Sequence, residues 1–156
     1  FFNIASFFNS QDIHFLANQY FKVIQKSGLE FDAMYGPAYK GIPLATAISQ
    51  LFHIEEKKKI ELIFDRKEIK DHGEGGKLIG NISGKKILII DDVLTAGTAI
   101  KETVEIIQHY NAKAVAAIVA LDRMEKDANS LTFKENLEKN LSIPILSITT
   151  FQDLKK

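Results

Sequence analysis

Lys86-Ile87-Leu88-Ile89-Ile90-Asp91-Asp92-Val93-Leu94-Thr95-Ala96-Gly97-Thr98-Ala99 is the stretch that decides the fold. Its first part is a continuous apolar run, the kind of strand that is buried on both faces of a parallel sheet. Two carboxylates end the run. Thr98 to Tyr110 then has helical period, with Ile100, Val104, Ile107 and Tyr110 at i, i+4, i+7 and i+10. The small residues Thr95 to Ala99 let backbone N–H groups approach an anion closely, and the helix N-terminus they lead into favours a phosphate. The Gly-Lys-Ser/Thr of the Walker pattern is absent. Adjacent carboxylates repel a phosphate beside them. They suit sugar hydroxyls, or waters on a magnesium ion. One loop can thus hold a sugar phosphate by both ends. A capped turn with carboxylates at a strand end is the competing reading.

Outward from this stretch, helices and strands alternate. Gln11–Lys26 reads as a helix, with Asp12 as its cap and Gly28 at the C′ position. Strands are expected at 31–35, 60–64, 114–121 and 143–148, and helices at 42–52 and 131–140. Residues 66–84 are polar, charged and glycine-rich without clear period, and 66–76 within them are expected as a loop. Thr150 is expected to cap a final helix. Such alternation predicts an α/β fold, a parallel sheet flanked by helices on both faces, in one domain spanning 1–156. Ligands of such sheets bind beyond the carboxyl ends of the strands. Four polar or glycine clusters follow four strands: residues 36–41, 66–73, 91–98 and 122–123. All four are expected to meet at one edge.

Composition narrows the chemistry. The 156 residues are 46% hydrophobic and 26% charged, ordinary for a globular domain. With no cysteine, thiol catalysis and cysteine-ligated zinc or iron–sulfur sites are excluded, and a reducing, cytoplasmic setting is expected. Twenty basic and twenty acidic residues balance, so no global field draws nucleic acid or a membrane, and neither is expected as a partner. No apolar run reaches the roughly 18 residues of a membrane span. The chain begins at Phe1 rather than Met, and is expected to be a piece lacking its native N-terminal and C-terminal segments. Its two arginines, against 18 lysines, are Arg66 and Arg123, and both fall in candidate site clusters. A planar fork serves bidentate capture of carboxylate or phosphate better than an ammonium does. Arg123 suits a substrate carboxylate and Arg66 a diphosphate.

The stretch Asp91 to Ala99 resembles the phosphoribosyl-diphosphate (PRPP) motif of type I phosphoribosyltransferases. Gly36-Pro37-Ala38-Tyr39-Lys40-Gly41-Ile42-Pro43 and Arg66-Lys67-Glu68-Ile69-Lys70-Asp71-His72-Gly73-Glu74-Gly75-Gly76 resemble the diphosphate loop and mobile catalytic loop of the orotate phosphoribosyltransferases. Phe1-Phe2-Asn3 and Leu121-Asp122-Arg123 match that family's orotate-contacting segments. The resemblance implies transfer of the 5-phosphoribosyl group from PRPP to orotate, with Mg2+ as cofactor, in UMP biosynthesis. It implies a type I fold with a truncated N-terminal hood, and a homodimer whose lid loop reaches the partner's site.

By the same resemblance the catalytic residues are Lys70, His72 and Asp92. Orotate is held by Phe1, Phe2, Thr95 and Arg123. PRPP is held by Tyr39, Lys40, Arg66, Lys67, Lys70 and His72 together with Asp91, Asp92, Val93, Leu94, Thr95, Ala96, Gly97, Thr98 and Ala99. Magnesium is held through water by Asp91 and Asp92, and the Ala38–Tyr39 peptide is cis. For Phe1 and Phe2 a core role on a strand competes with stacking on a pyrimidine. For 66–76 a solvated loop competes with a lid, and Lys40 competes as a surface lysine. Three other functions remain open: transfer to a different base, PRPP sensing by a non-catalytic regulator, and plain nucleotide binding.

Overall fold

The computed structural model describes residues 2–70 and 76–156, without the side chains of Ile69 and Lys70. Phe1 and the stretch 71–75, with the predicted roles of Phe1 and His72 and of the Lys70 side chain, lie outside the described residues. The described elements are α1 (Ser10–Ser27), β1 (Ala33–Gly36), α2 (Gly41–Glu56), β2 (Glu61–Lys70), β3 (Gly76–Ile79), β4 (Lys86–Ile90), β5 (Val93–Leu94), α3 (Thr98–His109), β6 (Lys113–Asp122), α4 (Phe133–Leu141) and β7 (Ile145–Thr150). Neighbouring strands run β3-β2-β1-β4-β6, and β6 also pairs with β5 and β7. β4 meets β6 at Lys113–Ile118 and β5 meets it at Leu121–Asp122, while β7 pairs with residues 117–122. The overlaps put β4 and β5 on one edge of β6 and β7 on the other.

Strand alternation splits the core into two layers. Met34, Leu88, Ile90, Ala116, Ile118 and Ala120 face one side, against Leu16, Tyr20 and Ile24 of α1 and Leu44 and Ile48 of α2. Ala33, Tyr35, Ile87, Ile89, Ala117 and Val119 face the other, against Ile100, Val104 and Ile107 of α3 and Leu137 of α4. Ile87 to Ile90 have no solvent exposure, so the apolar run identified from sequence is the central strand. Burying each such side chain contributes roughly 1.5–3 kcal/mol.

Four expectations need correction. Residues 66–70 are not loop: β2 runs on through them, and β3 returns antiparallel to it, so the sheet is mostly rather than wholly parallel. This arm lies at the sheet edge and is held by backbone pairing, so its charged side chains show no burial period. The cap of α1 is Asn9, whose side chain accepts from the Asp12 N–H at 2.9 Å; Asp12 sits inside the first turn. Phe2 is not in a strand; it precedes a short 3-10 turn, Ile4–Phe7. At the other end Thr150 and Asp153 exchange hydrogen bonds as in a capping box, but the element they open is a single 3-10 turn, Asp153–Lys155.

Candidate active site

β1 has β2 on one side and β4 on the other, and the chain order reverses between β1 and β4. That is a topological switch point, where open α/β sheets bind ligands. The turn after β1 and the acidic pair after β4 flank it. In the turn, Gly36 and Gly41 touch backbone to backbone: a Cβ on Gly36 would lie 2.4 Å from the Gly41 carbonyl oxygen. The Ala38–Tyr39 peptide is cis, as the family resemblance implied. Tyr39 is exposed, and Lys40 leads directly into α2, whose N-terminus has no side-chain cap. Backbone donors, a helix N-terminus and one ammonium thus gather where an anion can be met.

Asp91 and Asp92 interrupt the ladder between β4 and β5. The Asp91 N–H donates to the Ile118 carbonyl at 3.0 Å, and the Asp92 carbonyl accepts from Ala120 at 2.8 Å and Leu121 at 3.2 Å. The side chains turn back on the chain: Asp91 Oδ1 accepts from the Asp92 N–H, and Asp92 Oδ1 from the Val93 N–H. The other Asp92 oxygen lies 3.8 Å from Lys40 Nζ. Asp91 is 8% exposed, and burial, outweighing its hydrogen bond from Asp92, pushes its carboxyl up to about 7. Beneath the pair, the buried Tyr20 hydroxyl of α1 donates to the Asp91 carbonyl at 2.7 Å.

The loop after β5 divides its residues. Val93, Thr95 and Ala99 line the same cleft as Asp91 and Asp92. Leu94 is buried in the core and its carbonyl accepts from the Arg123 N–H. Ala96, Gly97 and Thr98 line a separate hollow with Lys101 and Leu137. Gly97 begins α3 at φ +79° without a side-chain cap, and a Cβ there would strike the Leu137 side chain at 2.1 Å. Ala96 and Gly97 can offer a ligand backbone N–H alone, and Thr98, which is exposed, an N–H and a hydroxyl.

Arg123 stands at the tip of β6. Asp122, 5% exposed, accepts the Met124 N–H at 2.8 Å, and its carbonyl accepts the Phe151 N–H, so the tip is tied on both sides. Arg123 pairs with Glu125 at 2.9 Å. Phe2, tilted against Phe7, lines the cleft, as does Leu121. Phe2, Tyr39, Lys40, Asp91, Asp92, Thr95 and Arg123 thus line one cleft of about 710 Å³. Arg66 and Lys67 line a smaller hollow of about 210 Å³ that shares Pro37, Ala38 and Ala99 with it. Three of the four sequence clusters therefore meet in one cleft, and the fourth adjoins it.

Sequence reading missed four contributors: Tyr20, Asp65, Phe151 and Leu154. Asp65 Oδ1 accepts the Ala38 N–H at 2.7 Å, and Phe151 and Leu154 wall the cleft near Arg123. Apolar residues beside the chain terminus were the signal for the last two. Tyr20 reads as an ordinary member of an apolar helix face. Among the described residues no group of three or more His, Cys or acidic side chains is arranged around a metal. The two adjacent carboxylates do fit magnesium, which keeps several waters and takes one or two carboxylates plus substrate oxygens.

A sequence profile for the phosphoribosyl transferase domain matches residues 5–144. The orotate phosphoribosyltransferase of Salmonella newport (strain SL254) is 40% identical over 154 residues, covering 99% of this chain and 72% of that protein. The crystal structure of the Francisella tularensis orotate phosphoribosyltransferase superposes with a TM-score of 0.86 at 36% identity, over 99% of this chain and 74% of that one. The Mycobacterium tuberculosis orotate phosphoribosyltransferase, solved with 5-phospho-alpha-D-ribosyl 1-diphosphate, shares the fold at a TM-score of 0.77 and 16% identity, over 100% of this chain and 84% of that one. On the switch-point cleft, the profile and the relatives together, the chain belongs to the phosphoribosyl transferase domain family and, within it, to the orotate phosphoribosyltransferases.

Proposed function

We infer that this chain joins orotate to the 5-phosphoribosyl group of PRPP, giving orotidine 5′-monophosphate and diphosphate for pyrimidine biosynthesis. The observation that carries the reading is the opening of the Lys40 turn, the Asp91–Asp92 pair and Arg123 into one cleft. A bond forms between the orotate ring nitrogen, which gives up its proton to solvent, and the ribose anomeric carbon, as the bond from that carbon to the diphosphate oxygen breaks and its electron pair leaves with diphosphate. Positive charge grows on the ribose ring in the transition state, as in glycoside hydrolysis.

The residues divide the work by chemistry. The 38–41 turn, Lys40 and the adjoining Arg66 and Lys67 neutralise the departing polyanion. Thr95, Ala99 and the backbone of 96–98 at the start of α3 take the 5′-phosphate. Asp91 and Asp92 hold the ribose hydroxyls and are the residues that hold Mg2+ through water; bound there, the ion offsets diphosphate charge. Arg123 takes the orotate carboxylate, with Phe2 and Thr95 beside the ring. Lys70 and His72, on and beyond the outer arm of β2, complete the cationic surround, and closure of that arm excludes the water that otherwise hydrolyses PRPP. We assign the arm to the cleft of a second copy, so that the working unit is a homodimer, and place the reaction in the cytoplasm, as the family resemblance implies.

The test is orotate absorbance. The chain is expected to consume orotate when PRPP and magnesium are both present and to stop when either is withheld. A folded chain that binds PRPP yet leaves orotate untouched refutes the reading.

A further inference from the structure

The first backbone N–H beyond the β1–β2 ladder has an unusual partner. The ladder ends at the pair Gly36↔Phe64. Pro37, next in line, has no N–H to offer. The N–H after it, on Ala38, is taken by the side chain of Asp65 at 2.7 Å. The far side of the turn is tied to α2 by Gly41 N–H to the Pro37 carbonyl at 3.1 Å and Ile42 N–H to the Tyr39 carbonyl at 3.2 Å. Asp65 therefore secures the near side, one peptide before Tyr39 and Lys40. It is also the residue at which β2 parts from β1. β2 already pairs with β3 at Phe64↔Ile79, and from Asp65↔Leu78 outward it does so without β1 on its other edge, with a register shift between Asp65 and Lys70. Asp65 lines the small hollow together with Arg66, Lys67 and Lys77, not the main cleft.

We propose that Asp65 is a positioning residue for diphosphate: by holding the Ala38 N–H it fixes the attitude of the Tyr39–Lys40 turn and links that turn to the root of the β2–β3 arm. The proposal rests on the reading of the cleft as a PRPP site. What the turn needs from position 65 is an acceptor oxygen at that reach. Asparagine supplies one and alanine does not.

The test compares the full wild-type chain with Asp65→Ala and Asp65→Asn, by calorimetric binding of inorganic diphosphate with magnesium and by steady-state constants. Asp65→Ala is expected to weaken diphosphate binding and raise the PRPP KM by roughly tenfold, the worth of one hydrogen bond to a charged acceptor. The orotate KM stays within about twofold, because Arg123 hangs from a different strand. Asp65→Asn is expected to bind diphosphate within about threefold of wild type. If Asp65→Ala does not fold, Asp65→Gln replaces it, since its amide is displaced by one methylene. Unchanged diphosphate affinity in the alanine or glutamine variant overturns the proposal, as does an equal rise in both KM values or an asparagine variant as weak as alanine. A wild-type chain that binds diphosphate but makes no orotidine monophosphate defeats the functional reading, and the binding comparison still decides Asp65. A wild-type chain that binds no diphosphate defeats both.

Discussion

Tyr20→Phe removes one oxygen from the molecule and tests how the acidic pair is held in register. The ring of Tyr20 has no solvent exposure and packs in the layer between α1 and the sheet. Its hydroxyl donates to the Asp91 carbonyl at 2.7 Å, 71 residues along the chain. Phenylalanine preserves the packing, so no cavity term arises. The loss is one buried hydrogen bond plus the desolvated carbonyl left behind, together about 1–3 kcal/mol. At roughly 2–4 °C per kcal/mol for a chain of this size, the melting temperature is expected to fall by about 4–8 °C for the middle of that range. Because the same bond seats Asp91, the PRPP KM is expected to rise while the orotate KM holds. Urea midpoints and melting curves without ligand read the first effect, and steady-state kinetics at saturating second substrate read the other. A melting temperature within about 1 °C of wild type refutes the energetic argument. A destabilised variant with wild-type PRPP kinetics refutes the link between Tyr20 and the site.

Asp91→Asn keeps the acceptor for the Asp92 N–H and removes a carboxyl that burial pushes up to about 7. A carboxyl whose folded pKa lies above its unfolded value of roughly 3.9 contributes stability that is complete below that value and is lost as pH rises through the folded one. In metal-free buffer the stability of wild type relative to Asp91→Asn is therefore expected to decline from pH 4 to pH 8, and urea midpoints that track each other across the range contradict this. Arg123→Lys exchanges a planar fork for a point charge and is expected to raise the orotate KM roughly tenfold with little change in that for PRPP; an unchanged orotate value removes Arg123 from carboxylate binding. Glu125→Gln releases the same guanidinium from its 2.9 Å partner, so the orotate KM is expected to fall by no more than about fivefold, the ceiling for an exposed pair, and a rise disproves competition between Glu125 and substrate. Lys70→Ala is expected to slow turnover far more than it weakens PRPP binding, and equal losses argue against a group acting in the transition state.

The central layers were legible because burial writes itself into sequence. Ile87 to Ile90 and residues 114–121 are apolar on successive positions, which a strand covered on both faces requires. The glycines at 36 and 41 announced a tight turn, and the contact between their backbones is why no Cβ is tolerated there. The paired stretches 66–70 and Gly76–Ile79 were illegible for the opposite reason. They are held by the hydrogen bonds of one to the other at the sheet edge, and backbone pairing leaves no trace in side-chain pattern. Asp65 and Tyr20 were illegible because each acts on a distant backbone atom, Ala38 N–H and Asp91 carbonyl, and such pairings emerge once the chain is folded. The helix start was predicted to within one residue, Gln11 against Ser10, but its cap was misassigned by three residues because Asn9 and Asp12 are both good capping types and bond to each other.

β6 is gripped along both edges, by β4 and β5 on one and β7 on the other, and it ends in Asp122 and Arg123. On the proposed assignment, the tip that selects the nucleobase is thus carried by a strand paired along both edges, while the parts assigned to sugar and phosphate hang from other strands. Lineages descending from such a scaffold can exchange one heterocycle for another by editing that tip and the aromatic residues Phe2 and Phe151 around it, leaving the shared donor's cradle untouched.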